Sequence, residues 1–138
     1  MILGDFVVEQ LSEGFFELFR DGSFVKMDPA RLNEPETDPS LGRYSSALGI
    51  DPLLVQTPDM NIMIDPGLGW GLDFKSVHKN TSNVKTNLDV FGLTPEDIDL
   101  VILSHLHYDH SAGATFVSDS LNTTPTFPNA RYLLHRDE

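Results

Sequence analysis

The chain opens with short apolar runs separated by turn residues. Phe6 to Leu11 and Phe15 to Phe19 are rich in apolar residues, and a polar turn at residues 12–14 separates them. A second turn, Arg20-Asp21-Gly22-Ser23, precedes another apolar pair that begins at Phe24. Short apolar runs punctuated by such turns are typical of antiparallel strands. We therefore predict antiparallel strands at the start of the chain.

Residues 27–65 contain a polar segment followed by two short apolar runs. From Met27 to Arg43 prolines and acidic residues accumulate without apolar periodicity, which predicts a surface loop. Leu53 to Thr57 and Asn61 to Asp65 are short apolar runs on either side of a Pro-Asp turn. Because Asp65 is followed by Pro-Gly, which no strand continues through, we predict a buried hairpin that ends in a loop at this point.

Helical spacing follows. Val84, Leu88 and Phe91 stand at i, i+4 and i+7, and Gly92 is placed as a helix stop, so an amphipathic helix is predicted from about Thr81 to Phe91. The segment Thr94-Pro95-Glu96-Asp97 then combines an N-cap, a proline at the first helical position and an acid at the third. This combination predicts one short helical turn.

Asp99 to Ser104 contains four apolar residues in unbroken succession, the pattern of a strand covered on both faces. Downstream we predict a polar loop from Ser118 to Pro128 and one more strand from Ala130 to Leu134. Strands that alternate with helices indicate an α/β layered fold. The length of 138 residues suits one domain over residues 1–138 and is too short for two ordinary ones.

Composition narrows the possible partners and locations. The net charge of -12 repels phosphate backbones and anionic membrane surfaces, so neither nucleic acid nor a membrane is an expected partner. The first ten residues lack a basic start and a secretory apolar run, and no stretch reaches the length of a membrane helix, so a cytoplasmic location is expected. The chain has no cysteine, so any metal must be held by nitrogen and oxygen ligands.

Candidate chemistry is concentrated directly after the apolar strand. Ser104-His105-Leu106-His107-Tyr108-Asp109-His110 places three of the five histidines within six residues. At this chain's own frequencies, the pattern His-x-His-x-Asp-His would arise by chance roughly once in 1,500 such sequences. The alternative is a solvated loop whose histidines satisfy their own hydrogen bonds, but such a dense cluster favours metal binding.

The spacing allows one short loop to serve two ions. Alternate residues of an extended segment face the same way, so His105 and His107 can present two imidazoles to one ion. A following turn would send Asp109 and His110 to a second ion. Imidazole and carboxylate ligands suit Zn²⁺, with iron or manganese as alternatives, and hydrolysis by metal-bound hydroxide is the natural reaction of such a site.

These residues resemble the metal motif of the metallo-β-lactamase superfamily, and Asp65-Pro66-Gly67 resembles the family's earlier Asp-x-Gly element. The segments Leu93 to Gly113 and Phe127 to Arg136 look most like the acyl-homoserine-lactone lactonase branch. The resemblance implies the N-terminal half of a four-layer αβ/βα sandwich with a mixed sheet. It also implies a hydrolase that acts on a lactone, an ester or a thioester as its small-molecule substrate.

The resemblance also implies roles for individual residues. His105 and His107 would bind the first metal, Asp109 and His110 the second, and Asp65 would steady the site from behind the ligands. In this family the carboxylate matching Asp109 is often assigned to orient or deprotonate the attacking water, so Asp109 is the expected catalytic residue. The alternative that Asp109 is a plain ligand stays open. Family relatives with two irons beside a flavin suggest redox work, but no flavin-domain sequence is present.

Complete family members are similar to about twice this length and supply further ligands downstream. Losing half of a sandwich would leave an apolar sheet face exposed, which self-association or a separate C-terminal half would cover. The alternative function is therefore a non-catalytic half-domain that needs a partner to complete its metal site. His78 and His135 lie outside the motif and are not expected to be ligands. Tyr108 and Trp70 could face a substrate, or could simply pack.

Overall fold

The computed structural model describes residues 1–19, 24–26, 43–69, 84–117 and 122–138. Within these residues the strands are β1 (Ile2–Leu3), β2 (Phe6–Gln10), β3 (Gly14–Phe19), β4 (Phe24–Lys26), β5 (Arg43–Ile50), β6 (Leu53–Gln56), β7 (Asn61–Ile64), β8 (Leu100–Leu103), β9 (Thr115–Val117), β10 (Thr123–Pro125) and β11 (Arg131–Leu134). The helices are α1 (Val84–Val90) and α2 (Tyr108–Ser111), with 3-10 turns at Pro95–Asp97 and Ala112–Ala114. Among the described helices, none is long and apolar enough to cross a membrane.

The largest sheet has six strands in the order β1-β2-β6-β7-β8-β11. The pairs from β1 to β7 are antiparallel, whereas β7 pairs with β8 and β8 with β11 in parallel. Because the carboxyl ends of parallel strands meet at one edge, the loops that follow β7 and β8 leave the sheet side by side. The predicted hairpin of β6 and β7 and the predicted strands β8 and β11 are confirmed.

One face of this sheet is covered by the main hydrophobic core. Leu54, Met63 and Val101 stand in register on β6, β7 and β8, and none of their side chains is exposed. They pack in one cluster with residues from α1 and the connecting turns: Leu11, Val84, Leu88, Ile98 and Phe127. This row of buried side chains fixes the register of the strands that lead to the histidine motif.

The opposite face is less well covered. Ile64 on β7 and Ile102 on β8 are half-buried, and Leu133, their neighbour in register on β11, is 54% exposed. Tyr132, on the core side of β11, has its hydroxyl bound to the backbone of Ala114 and Phe127, and partial burial raises the pKa of that hydroxyl. Among the described strands, the apolar side chains on this face are therefore only partly covered.

Two smaller sheets complete the described fold, one with the order β4-β3-β5 and one that pairs β9 with β10. The predicted N-terminal strands β2, β3 and β4 are present, but β2 and β3 belong to different sheets. Between them the backbone runs beside the end of β5, where Leu11 N–H donates to Pro52 and Glu13 N–H donates to Ile50. The chain therefore crosses between sheets here and does not turn back as a hairpin.

The helical predictions are confirmed over the described residues. Val84 and Leu88 are buried in α1, which ends where Gly92 adopts a φ of 69°. The start predicted at Thr81 lies outside the described residues. Thr94 and Asp97 form a capping box around the 3-10 turn, with the Thr94 backbone and hydroxyl both donating to the Asp97 carboxylate at 2.8 Å. These two bonds hold the pKa of Asp97 below its ordinary value.

One loop prediction needs correction. Residues 123–125, inside the loop predicted from Ser118 to Pro128, form β10 because their backbone pairs with β9. The strand β5 was not predicted, because Arg43–Ile50 mixes serine, glycine and apolar residues without a clear alternation. Pairing with β3 supplies the order that the local pattern lacks. Residues 27–42 of the predicted surface loop lie outside the described residues.

Candidate metal centre

The candidate site is built on the two loops that follow β7 and β8. Asp65 comes directly after β7, and its N–H donates to the Ile102 carbonyl on β8 at 2.9 Å. Its φ of 49° is in the left-handed region, a conformation that aspartate tolerates better than most residues. This turn directs the chain along the edge of the sheet, where Ser104 and His105 leave β8. The predicted motif and the earlier Asp-Pro-Gly element are thus neighbours.

The carboxylate of Asp65 joins the two loops. Ser104 N–H donates to Oδ1 at 2.7 Å, and the Ser104 hydroxyl donates to Oδ2 at 2.6 Å. His110 Nδ1 lies 2.9 Å from the same Oδ2. Burial acts to raise the pKa of Asp65, but the hydrogen bonds from Ser104 and His110 outweigh it and leave the pKa below its ordinary value. Asp65 is thus an ionised acceptor at neutral pH.

Three imidazoles gather beside this carboxylate. The ring centroid of His105 lies 4.6 Å from that of His107, with the ring planes at 79°, and 4.2 Å from that of His110. The backbone explains the arrangement, because His107 is extended and its carbonyl accepts the N–H groups of His110 and Ser111 as α2 begins. An extended pair followed by one helical turn brings all three rings to one place.

Asp109 lies at the open side of the cluster. Its Oδ2 is 3.6 Å from His110 Nε2, and its side chain is 40% exposed. A cavity of about 100 Å³ opens here, with polar lining from His110 and from the carboxylates of Asp51, Asp65 and Asp109. Its apolar wall includes Ile50 and Leu53. The cavity meets the ring cluster at His110.

The donor set fits a divalent transition metal. One possible ligand atom each from Asp65, His105 and His110 lies within 4.8 Å of the others. His107 adjoins this group through its ring contact with His105, and Asp109 through His110. Imidazole nitrogens with carboxylate oxygens are the ligands that zinc and iron accept in proteins without thiolates. All five residues singled out in the sequence therefore lie together.

The two loops also meet backbone to backbone. Gly113 N–H donates to the Gly67 carbonyl at 2.7 Å, and Gly67 N–H donates to the His110 carbonyl at 3.2 Å. A Cβ atom added to Gly113 would overlap the carbonyl oxygen of Pro66. Since a backbone atom cannot swing aside as a side chain can, only glycine permits this approach.

A buried acid, Glu13, contacts the loop that follows β7. Glu13 has no exposed surface, and its Oε2 accepts the N–H of Leu68 at 2.8 Å. Gly67 packs against the same carboxylate, because a Cβ added there would lie 2.6 Å from the Glu13 Cδ. Leu68 itself packs with Phe16 and Ile50 in a second apolar cluster. Glu13 thus helps to hold the loop that carries Asp65.

Sequence reasoning missed three residues near the site. Ser104 belongs to the motif, and its position directly before the first histidine is a signal in the sequence. Glu13 was assigned only to a turn, and no local pattern distinguishes a buried glutamate from an exposed one. Asp51 lines the cavity because β5 and β6 bring it there, which depends on the unpredicted strand.

Two of the other candidates, His135 and Tyr108, are among the described residues. His135 is 73% exposed, with Nδ1 3.9 Å from Asp137 Oδ2. Tyr108 is 52% exposed beside the site, so it is not packed into the core. Trp70 and His78 lie outside the described residues.

We expect Gly113→Ala to destabilise the chain by about 2 to 3 kcal/mol, because the added methyl group must displace the Pro66 backbone. Gly92→Ala is the control: its surroundings are open and only its positive φ is unfavourable, so it should cost about 1 kcal/mol. Urea unfolding of both variants measures the difference. Equal losses would contradict the close approach of the two loops.

Several solved structures resemble the chain. A probable metal-dependent hydrolase from Staphylococcus aureus is 28% identical with a TM-score of 0.70, and the match covers 100% of this chain and 50% of that one. The dizinc quorum-quenching lactonase AidC is 27% identical with a TM-score of 0.62, covering 96% of this chain and 42% of that one. The hydrolase AbOPH, at 24% identity and a TM-score of 0.60, shares the fold. The chain thus spans about half the length of these structures.

The fold and a family model identify the family to which the chain belongs. The mixed sheet with α1 on one face, matched to half of the longer structures, is the N-terminal half of the αβ/βα fold expected from the sequence. The model of the metallo-beta-lactamase superfamily matches residues 47–128, a range that includes Asp65 and the whole histidine motif. The chain belongs to the metallo-beta-lactamase superfamily, and the solved structures that it resembles include a probable metal-dependent hydrolase.

Proposed function

We propose that residues 1–138 form one metallo-β-lactamase-like domain that carries the metal-holding part of a zinc-dependent hydrolase. The observation that carries this proposal is the clustering of the His105, His107 and His110 rings at the parallel edge of the sheet, with Asp65 in contact with His110. Imidazoles at such short separations would repel one another if protonated, and a bound cation removes that repulsion.

His105 and His107 are proposed as ligands of one ion, and Asp109 and His110 as ligands of a second. Asp65 is proposed as a supporting residue, although its oxygens lie close enough to be ligands. Both of its oxygens already accept hydrogen bonds, from the Ser104 backbone, the Ser104 hydroxyl and His110. A carboxylate so engaged is better suited to orienting a ligand than to replacing one.

Zinc is proposed because the donors are nitrogen and oxygen and because the similar lactonase AidC is described as dizinc. Iron and manganese would fit the same donor types. When bound, such an ion supplies Lewis acidity, which polarises a carbonyl and lowers the pKa of coordinated water.

The residues of the chain would then serve a hydrolysis on a lactone, an ester or a thioester. A lactone is favoured as the first substrate to test because AidC is a lactonase. Asp109 lines the cavity beside His110, so its carboxylate can accept a proton from a water molecule held there. The water oxygen adds to the carbonyl carbon, the bond to the leaving oxygen or sulfur breaks, and the leaving atom takes up the proton.

Metal binding is the first consequence to test. The chain purified without chelators should contain about two equivalents of zinc or iron, and His107→Ala should lose most of it because two imidazoles would become one at the first ion. His135→Ala is the matched control, since His135 is exposed and lies beside Asp137. Elemental analysis measures the occupancy. A wild-type chain without metal would contradict the proposal.

Catalysis is tested separately. The zinc-loaded chain should hydrolyse an acyl-homoserine lactone, a simple ester or a thioester, and Asp109→Asn should lower kcat/KM by about 10² to 10⁴-fold because the amide cannot accept the proton. His135→Ala should keep the activity. Hydrolysis by the 138-residue chain alone would eliminate the alternative of a non-catalytic half-domain. No turnover of any of the three substrates would favour that alternative.

The half-covered sheet face is the basis of a proposal about a partner. Leu133 is 54% exposed, and it lies in register with the half-buried Ile102 and Ile64. Because the similar structures are about twice as long, we propose that a C-terminal half of the sandwich covers this face. Without that half, the isolated chain should associate through the same face.

Sedimentation velocity at micromolar concentration measures this association. We expect the isolated chain to form dimers or larger species, and Leu133→Glu to raise the dissociation constant about tenfold or more by placing a charge in the apolar contact. Val90→Glu is the control, because Val90 is 76% exposed on α1, away from this face. A monomeric wild-type chain would count against the proposal.

A further inference from the structure

A single hydroxyl group links the Asp65 carboxylate to the first histidine of the motif. The Ser104 Oγ lies 2.6 Å from Asp65 Oδ2 and 2.8 Å from His105 Nδ1. On its other side, the same Oδ2 lies 2.9 Å from His110 Nδ1. One carboxylate oxygen is therefore connected to two imidazoles, directly to His110 and through Ser104 to His105.

The number of protons fixes the direction of these bonds. An ionised carboxylate has no proton to donate, so the hydroxyl proton of Ser104 is used in the bond to Asp65. Oγ can then only accept from His105, which requires a proton on His105 Nδ1. By the same argument His110 Nδ1 must carry a proton, because its partner is the carboxylate itself. A neutral imidazole protonated at Nδ1 has its free electron pair at Nε2.

We propose that Ser104 is a positioning residue that, together with Asp65, holds both His105 and His110 as Nδ1–H tautomers and so reserves both Nε2 atoms for metal. A ligand imidazole whose other nitrogen is hydrogen-bonded is fixed in ring orientation and in tautomer, which removes two sources of freedom before metal binds. The proposal deepens the proposed function and rests on it for the role of the two Nε2 atoms.

The geometry allows the hydroxyl to be separated from the rest of the network. The Ser104 backbone N–H holds Asp65 Oδ1 at 2.7 Å, and alanine would keep this bond. The contact between Asp65 and His110 does not involve Ser104. Ser104→Ala therefore removes the partner of His105 and one of the bonds to Asp65 Oδ2, but it leaves His110 its direct contact with Asp65, whereas Ser104→Thr keeps a hydroxyl at the same place.

Ser111 provides a matched control in the same loop. Its hydroxyl donates to the backbone carbonyls of His107, at 3.0 Å, and Leu106, at 3.2 Å. Ser111→Ala thus removes a serine hydroxyl that stabilises the loop backbone without removing the bond to either imidazole.

The experiment uses side-chain ¹⁵N NMR of the 138-residue chain labelled at histidine, without added metal and at about pH 8, where free imidazole is neutral. Protonated and unprotonated ring nitrogens have widely separated ¹⁵N shifts, so each tautomer is measured directly. In the wild-type chain His105 and His110 should both be protonated at Nδ1. Ser104→Ala should change the shifts of His105 and leave those of His110, whereas Ser104→Thr and Ser111→Ala should leave both.

Zinc affinity, measured by chelator competition on the same proteins, should fall about 10 to 100-fold in Ser104→Ala and recover in Ser104→Thr. The proposal is overturned by a wild-type His105 protonated at Nε2, a result that does not depend on any variant folding. It is also overturned if Ser104→Ala leaves the His105 shifts or the zinc affinity unchanged. The expected tautomers in a chain that binds no zinc would contradict the proposed function and leave the tautomer assignment intact.

Discussion

The loop after β7 and the loop after β8 lie so close together that their backbones are in direct contact. Gly113 donates to Gly67, Gly67 donates to His110, and the Pro66 carbonyl occupies the space where a side chain at Gly113 would lie. Parallel pairing of β7 with β8 brings the loops to the same edge, but pairing alone does not fix their separation. The two glycines do, because a contact between peptide groups allows little variation in distance.

Polar side chains support both loops near this contact. Glu13 is buried and accepts the Leu68 amide. Asp65 is half-buried and binds Ser104 and His110. Apolar packing of Leu68 against Phe16 and Ile50 also stabilises the loop after β7. Polar groups in a medium of low polarity interact more strongly than in water, so satisfied contacts of this kind restrict the side chains that make them. The imidazoles thus have supports that reach into the core.

The sequence was most informative where the signal was local. The apolar run of β8, the capping box at Thr94 and Asp97, and the density of histidines after Ser104 each depend on neighbouring residues, and the corresponding elements are present. The sequence did not predict features that depend on residues distant along the chain. The strand β5 exists through pairing with β3, and the buried Glu13 binds the amide of Leu68, 55 residues later in the sequence. The role of Ser104 needed the position of Asp65, 39 residues earlier, before it could be inferred.

His110 is attached to the preceding loop twice, through its carbonyl to Gly67 and through its ring to Asp65. Displacing that loop would therefore break a backbone contact and a side-chain contact of the same residue together. Cooperative local opening is the usual behaviour of segments coupled in this way. The centre should accordingly exchange between an assembled and a disassembled form, with few intermediate arrangements in which a single imidazole has come loose.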